Sequence, residues 1–359
     1  MQKSKHNGII SLWKFLFSVM IVILHCDCLA ENNEKTLFIG GAIAVEFFFI
    51  TSGYLMAVSA FKRGRKKDIV SDTWNFIGKK FKALFPYVLI AFLSISIVNI
   101  IFKSNNIYNW ITSIWDLFLL RMTGIKTARI NKVAWYLSAM LLSMLIIYPL
   151  LRKYKKKYST FIAPIIVIFL AGYMSHQYGD LGEPMQWVGF CYKGLLRAFL
   201  ELNIGVILYE VVSYFKKVKL TNLGHNLITF LEVFCFTIVF MISQFLEKGN
   251  KLDYIVLVIL TVGIGIAFSE KSKFYSFCCN KFFYYLERLS VPIFLNQMAV
   301  IYFMEYSSWF SNWNYYGKVA FCLGSLFLFS ALTLKVVELW QKNEERIFSF
   351  IKNKFILNK

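Results

Sequence analysis

Two apolar runs near the start of the chain carry side chains that a lipid-facing helix would not hold. GIISLWKFLFSVMIVILHCDC, from Gly8, contains Lys14 and His25, and LFIGGAIAVEFFFITSGYLMA, ending at Ala57, contains Glu46. Each charged group at membrane depth costs roughly 2.5–3.5 kcal/mol on insertion scales, so such groups turn toward a protein interior or a wet cavity. Lys14 and His25 lie eleven residues apart. At about 100° per residue they return to nearly the same face of one helix, roughly 16 Å apart along its axis. Imidazole has an ordinary pKa close to neutrality, which suits it to take the proton of a hydroxyl. His25 is therefore a candidate general base, or a brief carrier of a group in transfer. A carboxylate would fix its tautomer and stabilise the imidazolium. Glu46 is preferred for that role over Asp27, which sits at the solvated rim of the first run. A snorkelling lysine and an interface histidine would fit the same spacing without chemistry.

The elements that must hold these residues are membrane helices. Of 359 residues 58% are hydrophobic, the mean hydropathy is +0.55, and runs of about 20 apolar residues recur to near residue 340. The pattern predicts an all-α, polytopic helical bundle of about ten spans, near 8–28, 37–60, 84–103, 133–151, 159–175, 194–214, 225–246, 252–269, 289–306 and 318–340. It reads as a single transmembrane domain over 1–345 with a short basic tail at 346–359. Lys14 interrupts the first run and no small-residue cleavage site follows, so a cleaved signal peptide is not expected.

The formal charge of +20 invites a nucleic-acid reading, but its placement argues against one. Lysine and arginine cluster in alternate loops: at Lys3 and Lys5, in FKRGRKK and KKFK, in RKYKKK, in KKVK and at the C-terminus. That is the positive-inside pattern, which puts both termini in the cytoplasm. The stretch 104–132 falls on the opposite side despite Arg121, Lys126, Arg129 and Lys132, and its IYNWITSIWDLFLL segment has the period of an interfacial amphipathic helix. The seven cysteines have no repeated metal-ligand spacing, and no P-loop, dinucleotide fingerprint or HExxH motif is present. No metal site is expected.

Several segments, in order over nearly the whole length, resemble acyltransferase family 3. AVEFFFITSGYL at 44–55 is similar to that family's G-V-D-x-F-F-x-x-S-G-[FY]-L segment, with Glu46 for the acid and Ser52-Gly53 retained. Lys14 and His25 resemble its Arg-x10-His pair. AWYLSAMLLSMLIIYPLL resembles its W-[FY]-L span, Arg197 with Gly205 its arginine-then-glycine span, and LSVPIFLNQ its late I-S-x-x-[IL]-Y-L-x-H segment. The departures are Lys14 for arginine, Ala83 for the second arginine of an R-x-x-R before a proline, and Gln297 where histidine is common.

The resemblance implies a multi-pass enzyme of the bacterial plasma membrane that moves an acyl group, acetyl above all, from acyl-CoA to a hydroxyl of a surface polysaccharide or its lipid-linked precursor. Acyl-CoA would be a co-substrate, with no bound cofactor and with the lipid bilayer as the remaining partner. His25 and Glu46 are the expected catalytic residues. Lys14, Ser52, Trp135 and Arg197 are the expected acceptor-binding residues; Trp135 could stack on a sugar or anchor the membrane interface. Lys79, Lys80 and Lys82, within a basic group that includes Arg63, Arg65, Lys66 and Lys67, suit the phosphates of the donor, although a topogenic loop needs the same residues. Arg197 and Glu201, at i and i+4, either neutralise each other within one helix or line the acceptor cavity. Two other functions use the same buried charges: a translocation path for a polysaccharide or lipid intermediate, or a non-catalytic scaffold of envelope synthesis.

Overall fold

The computed structural model describes residues 7–356 apart from 32–33, 63, 65–67, 104–106, 129, 247–248 and 250–251, with side chains through residue 343. Arg63, Arg65, Lys66, Lys67 and Arg129 therefore lie outside the described residues. The chain is a helical bundle. Its helices are α1 (Gly8–His25), α2 (Ala44–Lys62), α3 (Ile69–Ile101), α4 (Ile107–Thr112), α5 (Ile114–Leu117), α6 (Ala134–Tyr154), α7 (Ala163–Gln177), α8 (Lys193–Phe215), α9 (Asn222–Phe245), α10 (Asp253–Ser269), α11 (Phe274–Cys278), α12 (Lys281–Tyr306) and α13 (Tyr315–Ile356). Each of the ten expected spans falls on one of them. Among the described residues, seven helical stretches are long and apolar enough to cross a membrane, and α10 is a shorter apolar helix.

Boundaries differ where a helix outruns its apolar stretch. α3 starts at Ile69 rather than near 84, because Asp68 accepts hydrogen bonds from the Val70 and Ser71 amides (3.0 and 3.1 Å) and caps an amphipathic beginning that carries the lysines. Pro86 lies within α3 without ending it. α12 likewise begins at Lys281, capped by Asn280, and α13 continues through residue 346 to Ile356, so the expected start of the tail lies inside a helix. A two-residue hairpin, β1 (Trp187–Val188) with β2 (Cys191–Tyr192), is the sheet structure among the described residues.

Burial sorts the helices into a centre and a rim. In the most apolar window of each, 72% of α2 and 67% of α6 is buried, against 22% of α7 and 28% of α9. In a membrane it is the helix carrying polar groups that turns inward, and α2, with Glu46, Thr51 and Ser52, packs on α1, α6, α8 and α10. Within the 104–132 stretch the IYNWITSIWDLFLL segment forms two short helices, α4 and α5, instead of one; α4 buries no residue, and Ile107, Tyr108, Ile111 and Trp115 are exposed. Arg121 is among the residues of the stretch that are buried. It is 2% exposed and pairs with Asp116, so its charge is neutralised inside the fold.

Candidate functional site

A close crossing of two helices sets the geometry of the site. A Cβ on Gly53 of α2 would collide with the Leu202 carbonyl of α8, and one on Gly205 of α8 with the Ile50 carbonyl of α2. Small residues allow this backbone-to-backbone approach. The two helices run in the same direction there. Gly53 is seven residues past Glu46 and Gly205 eight past Arg197, about two turns in each case. The crossing therefore brings Glu46 and Arg197 to the same height, face to face.

Arg197 is the hub. Its Nη2 donates to Glu46 Oε1 (2.9 Å) and its Nε to Glu201 Oε1 (2.7 Å), while Nη1 donates to the Leu181 carbonyl (3.1 Å). The guanidinium carbon lies 5.9 Å from the centre of the Trp135 ring, within cation–π range. Arg197 and Glu46 are 3% and 2% exposed and Glu201 is fully buried. The second oxygens of Glu46 and Glu201 have no hydrogen-bond partner among the described residues. The i,i+4 pair expected from sequence thus forms, but as part of a three-residue cluster.

His25 stands at the far end of α1, half-buried. Its Nδ1 is 2.9 Å from the Ile21 carbonyl. A carbonyl only accepts, so Nδ1 carries the proton and, in the neutral ring, Nε2 carries the lone pair. This corrects one expectation: the tautomer is set by a backbone carbonyl one turn back, whereas Glu46 bonds to Arg197. The reason is the α2–α8 crossing, which gives Glu46 a guanidinium at closer range.

His25, Trp135 and Arg197 line one cavity of about 330 Å³, together with Ile21, Val45, Asp180 and Glu183. Asp180 Oδ1 accepts from Lys193 Nζ (2.8 Å) and from the Gly182 amide (2.7 Å). A separate small pocket lined by Glu46, Leu181 and Asp253 shares the wall residues Ala42, Gly182, Arg197 and Gly249 with it.

Lys14 and Ser52 open on a different space, a cavity of about 290 Å³ at the lysine-rich end of the same helices. Lys14 pairs with Glu287 of α12, which also accepts from Ser11 Oγ (2.8 Å). Lys80 lines this cavity, as does Ala83 one turn later, while Lys79 and Lys82 are exposed on α3 away from it. Gln297 is fully buried, donates to the Phe294 carbonyl (2.6 Å) and borders neither cavity.

The two cavities follow one another along a seam. α1 contributes Lys14 and Ser18 to one and Ile21, Leu24 and His25 to the other; α2 contributes Phe48 to Leu55 and then Ala42 and Val45; α6 contributes Tyr136 and then Trp135. Phe48, Tyr136 and Phe294, with ring centres 5.6–6.2 Å apart, stand where one cavity gives way to the other. Asp180, Glu183 and Glu287 escaped the reading from sequence, because two lie in a polar loop and the third at the start of a span, where carboxylates are ordinarily solvated.

A bundle of apolar helices that buries an ion cluster at its centre and sets an imidazole on a polar cavity is a membrane protein built for chemistry on polar groups. The chain belongs to acyltransferase family 3: the family model, described as an acyltransferase domain, matches residues 7–337. No curated protein and no solved structure matches the chain. The protein is a multi-pass membrane acyltransferase.

Proposed function

We propose that this acyltransferase moves an acetyl group from acetyl-CoA to a hydroxyl of a cell-surface polysaccharide or its lipid-linked precursor at the bacterial plasma membrane. One observation carries the reading: His25, Trp135 and Arg197 share a cavity that backs, along the same three helices, onto a second cavity holding Lys14, Ser52 and Lys80. Two substrates arriving from opposite faces would need two such cavities.

The lysine-rich cavity would take the donor, with Lys14 and Lys80 inside and Lys79 and Lys82 outside meeting phosphate charge. The acceptor would enter beside Trp135, whose ring offers a face for a sugar. In the transfer, His25 Nε2 takes the proton of the acceptor hydroxyl, whose oxygen attacks the thioester carbonyl carbon. The carbon–oxygen ester bond forms, the carbon–sulfur bond breaks, and the thiolate of CoA leaves with that proton. A two-step version, in which Nε2 carries the acyl group between the cavities, uses the same atoms. Arg197 and Glu46 would be positioning residues of this cavity, holding α2, α6 and α8 in register.

The test is mass spectrometry of surface glycans from cells with the intact protein, with His25→Ala, or with none. Loss of an acetyl-sized ester in both altered strains, with glycan export intact, is the expected result. In vesicles, His25→Ala should slow transfer about 10²–10⁴-fold, the usual worth of a general base. Wild-type ester content in His25→Ala would sink the reading. Failed export with unchanged ester per repeat would point instead to transport of the glycan.

A further inference from the structure

α2 carries three phenylalanines in a row, Phe47 to Phe49, and successive residues of a helix point about 100° apart. Phe47 turns to Phe17 of α1 and Phe236 of α9, Phe49 turns to Trp135 and Tyr136 of α6, and both are fully buried. Phe48 turns between α6 and α12. It keeps part of its surface open and lines the lysine-rich cavity.

There Phe48 meets Tyr136 and Phe294, and each of the three ring centres lies 5.6–6.2 Å from the other two. Aromatic rings at that spacing are in contact, so the triangle is shut. All three rings line the lysine-rich cavity and none lines the cavity of His25. They are the end wall of the first on the side of the second. Two of them are held in place: Tyr136 and Phe294 are each 7% exposed, and Tyr136 also packs on Phe49 (4.6 Å) and donates to Met140 Sδ (3.5 Å). Half-buried Phe48 is the ring with room to swing.

We propose that this ring wall sets the length of the acyl group, with Phe48 as the specificity-determining residue. The proposal rests on the donor role given above to the lysine-rich cavity. A thioester held near Lys14 and Lys80 has to bring its acyl carbon to the wall, because the hydroxyl it meets arrives beside His25 on the other side. An acetyl group ends there and needs the smallest displacement of Phe48. A longer chain has to push into packed rings, and forcing extra methylenes into a filled site is unfavourable. Each carbon beyond acetyl therefore works against binding instead of adding to it.

The experiment measures binding of CoA, acetyl-CoA, butyryl-CoA and hexanoyl-CoA to the full chain in nanodiscs by titration calorimetry, with the heat from empty nanodiscs subtracted. In the wild type, hexanoyl-CoA should bind at least about five-fold more weakly than acetyl-CoA, the lower end of the cost of overpacking. Phe48→Ala should raise the hexanoyl-to-acetyl affinity ratio about ten-fold or more, since each methylene that gains a buried place is worth about four-fold. Phe48→Leu should shift the ratio the same way by less, and it carries the test if the alanine variant does not fold. CoA itself should bind all three proteins alike, whereas a merely loosened fold would weaken every ligand together. Hexanoyl-CoA binding the wild type as tightly as acetyl-CoA, or a ratio that neither variant moves, would overturn the proposal and leave the donor role standing. Binding of none of the four, or binding unchanged in the double variant Lys14→Met with Lys80→Met, would overturn the donor role and the proposal with it.

Discussion

At the lysine-rich end of the seam Lys14 and Glu287 pair while 19% and 29% exposed, whereas beside the other cavity Arg197 and Glu46 pair while 3% and 2% exposed. The same three helices run through both sites, so the difference comes from depth and from the number of charges meeting there. A half-wet ion pair keeps some of its hydration and can exchange one partner for another. A buried cluster with two carboxylates on one guanidinium cannot, because each member is neutralised only by the others. The first arrangement leaves a cation open to an incoming anion, and the second ties α2 to α8 through groups that cannot leave one another.

The sharpest way to break this contrast is to remove the hub. Arg197→Met should destabilise the protein by about 3–5 kcal/mol, read as a lowered midpoint in detergent unfolding. Neutralising both carboxylates in the same chain, as Glu46→Gln with Glu201→Gln, should restore much of that loss. A single substitution that melts like the wild type would mean that the cluster is wetter than its burial indicates.

Gly205→Ala tests the crossing that brings the cluster together. The new methyl meets the Ile50 carbonyl, and overpacking of this kind costs about 1–3 kcal/mol. Transfer activity should fall further than stability alone explains, since separating α2 from α8 moves Glu46 away from Arg197. Activity that tracks stability would remove the positioning role.

The smallest effect on stability is expected at the other cavity. Lys14→Met breaks a partly exposed pair worth about 1 kcal/mol or less. The midpoint should hardly move, while the acetyl-CoA concentration for half-maximal transfer rises, more so at low salt. A large loss of stability here would erase the distinction between the two ends of the seam.

Much of the architecture was legible in the sequence because lipid is an exacting solvent. Apolar runs of the right length, basic clusters in alternate loops and an aromatic interfacial stretch led to helices at all ten expected places. A costly polar residue inside an apolar run marks an interior, and Lys14, His25, Ser52, Trp135 and Arg197 all line one of the two cavities. Helix ends were less legible. Lys79 to Lys82 continue α3 because Asp68 caps it, and a cap signals only over one turn.

The sequence by itself determined a membrane bundle of this family, the face shared by Lys14 and His25, and the i,i+4 pairing of Arg197 with Glu201, all consequences of composition and helical period. Tertiary structure decided the partners. Glu46 lies more than 150 positions from Arg197, and only the glycine crossing of α2 and α8 makes them neighbours. Asp180 and Glu183 likewise come to line the same cavity as His25 only through the packing of the 178–192 loop. Which charges meet depends on packing between helices, and no local pattern carries that information.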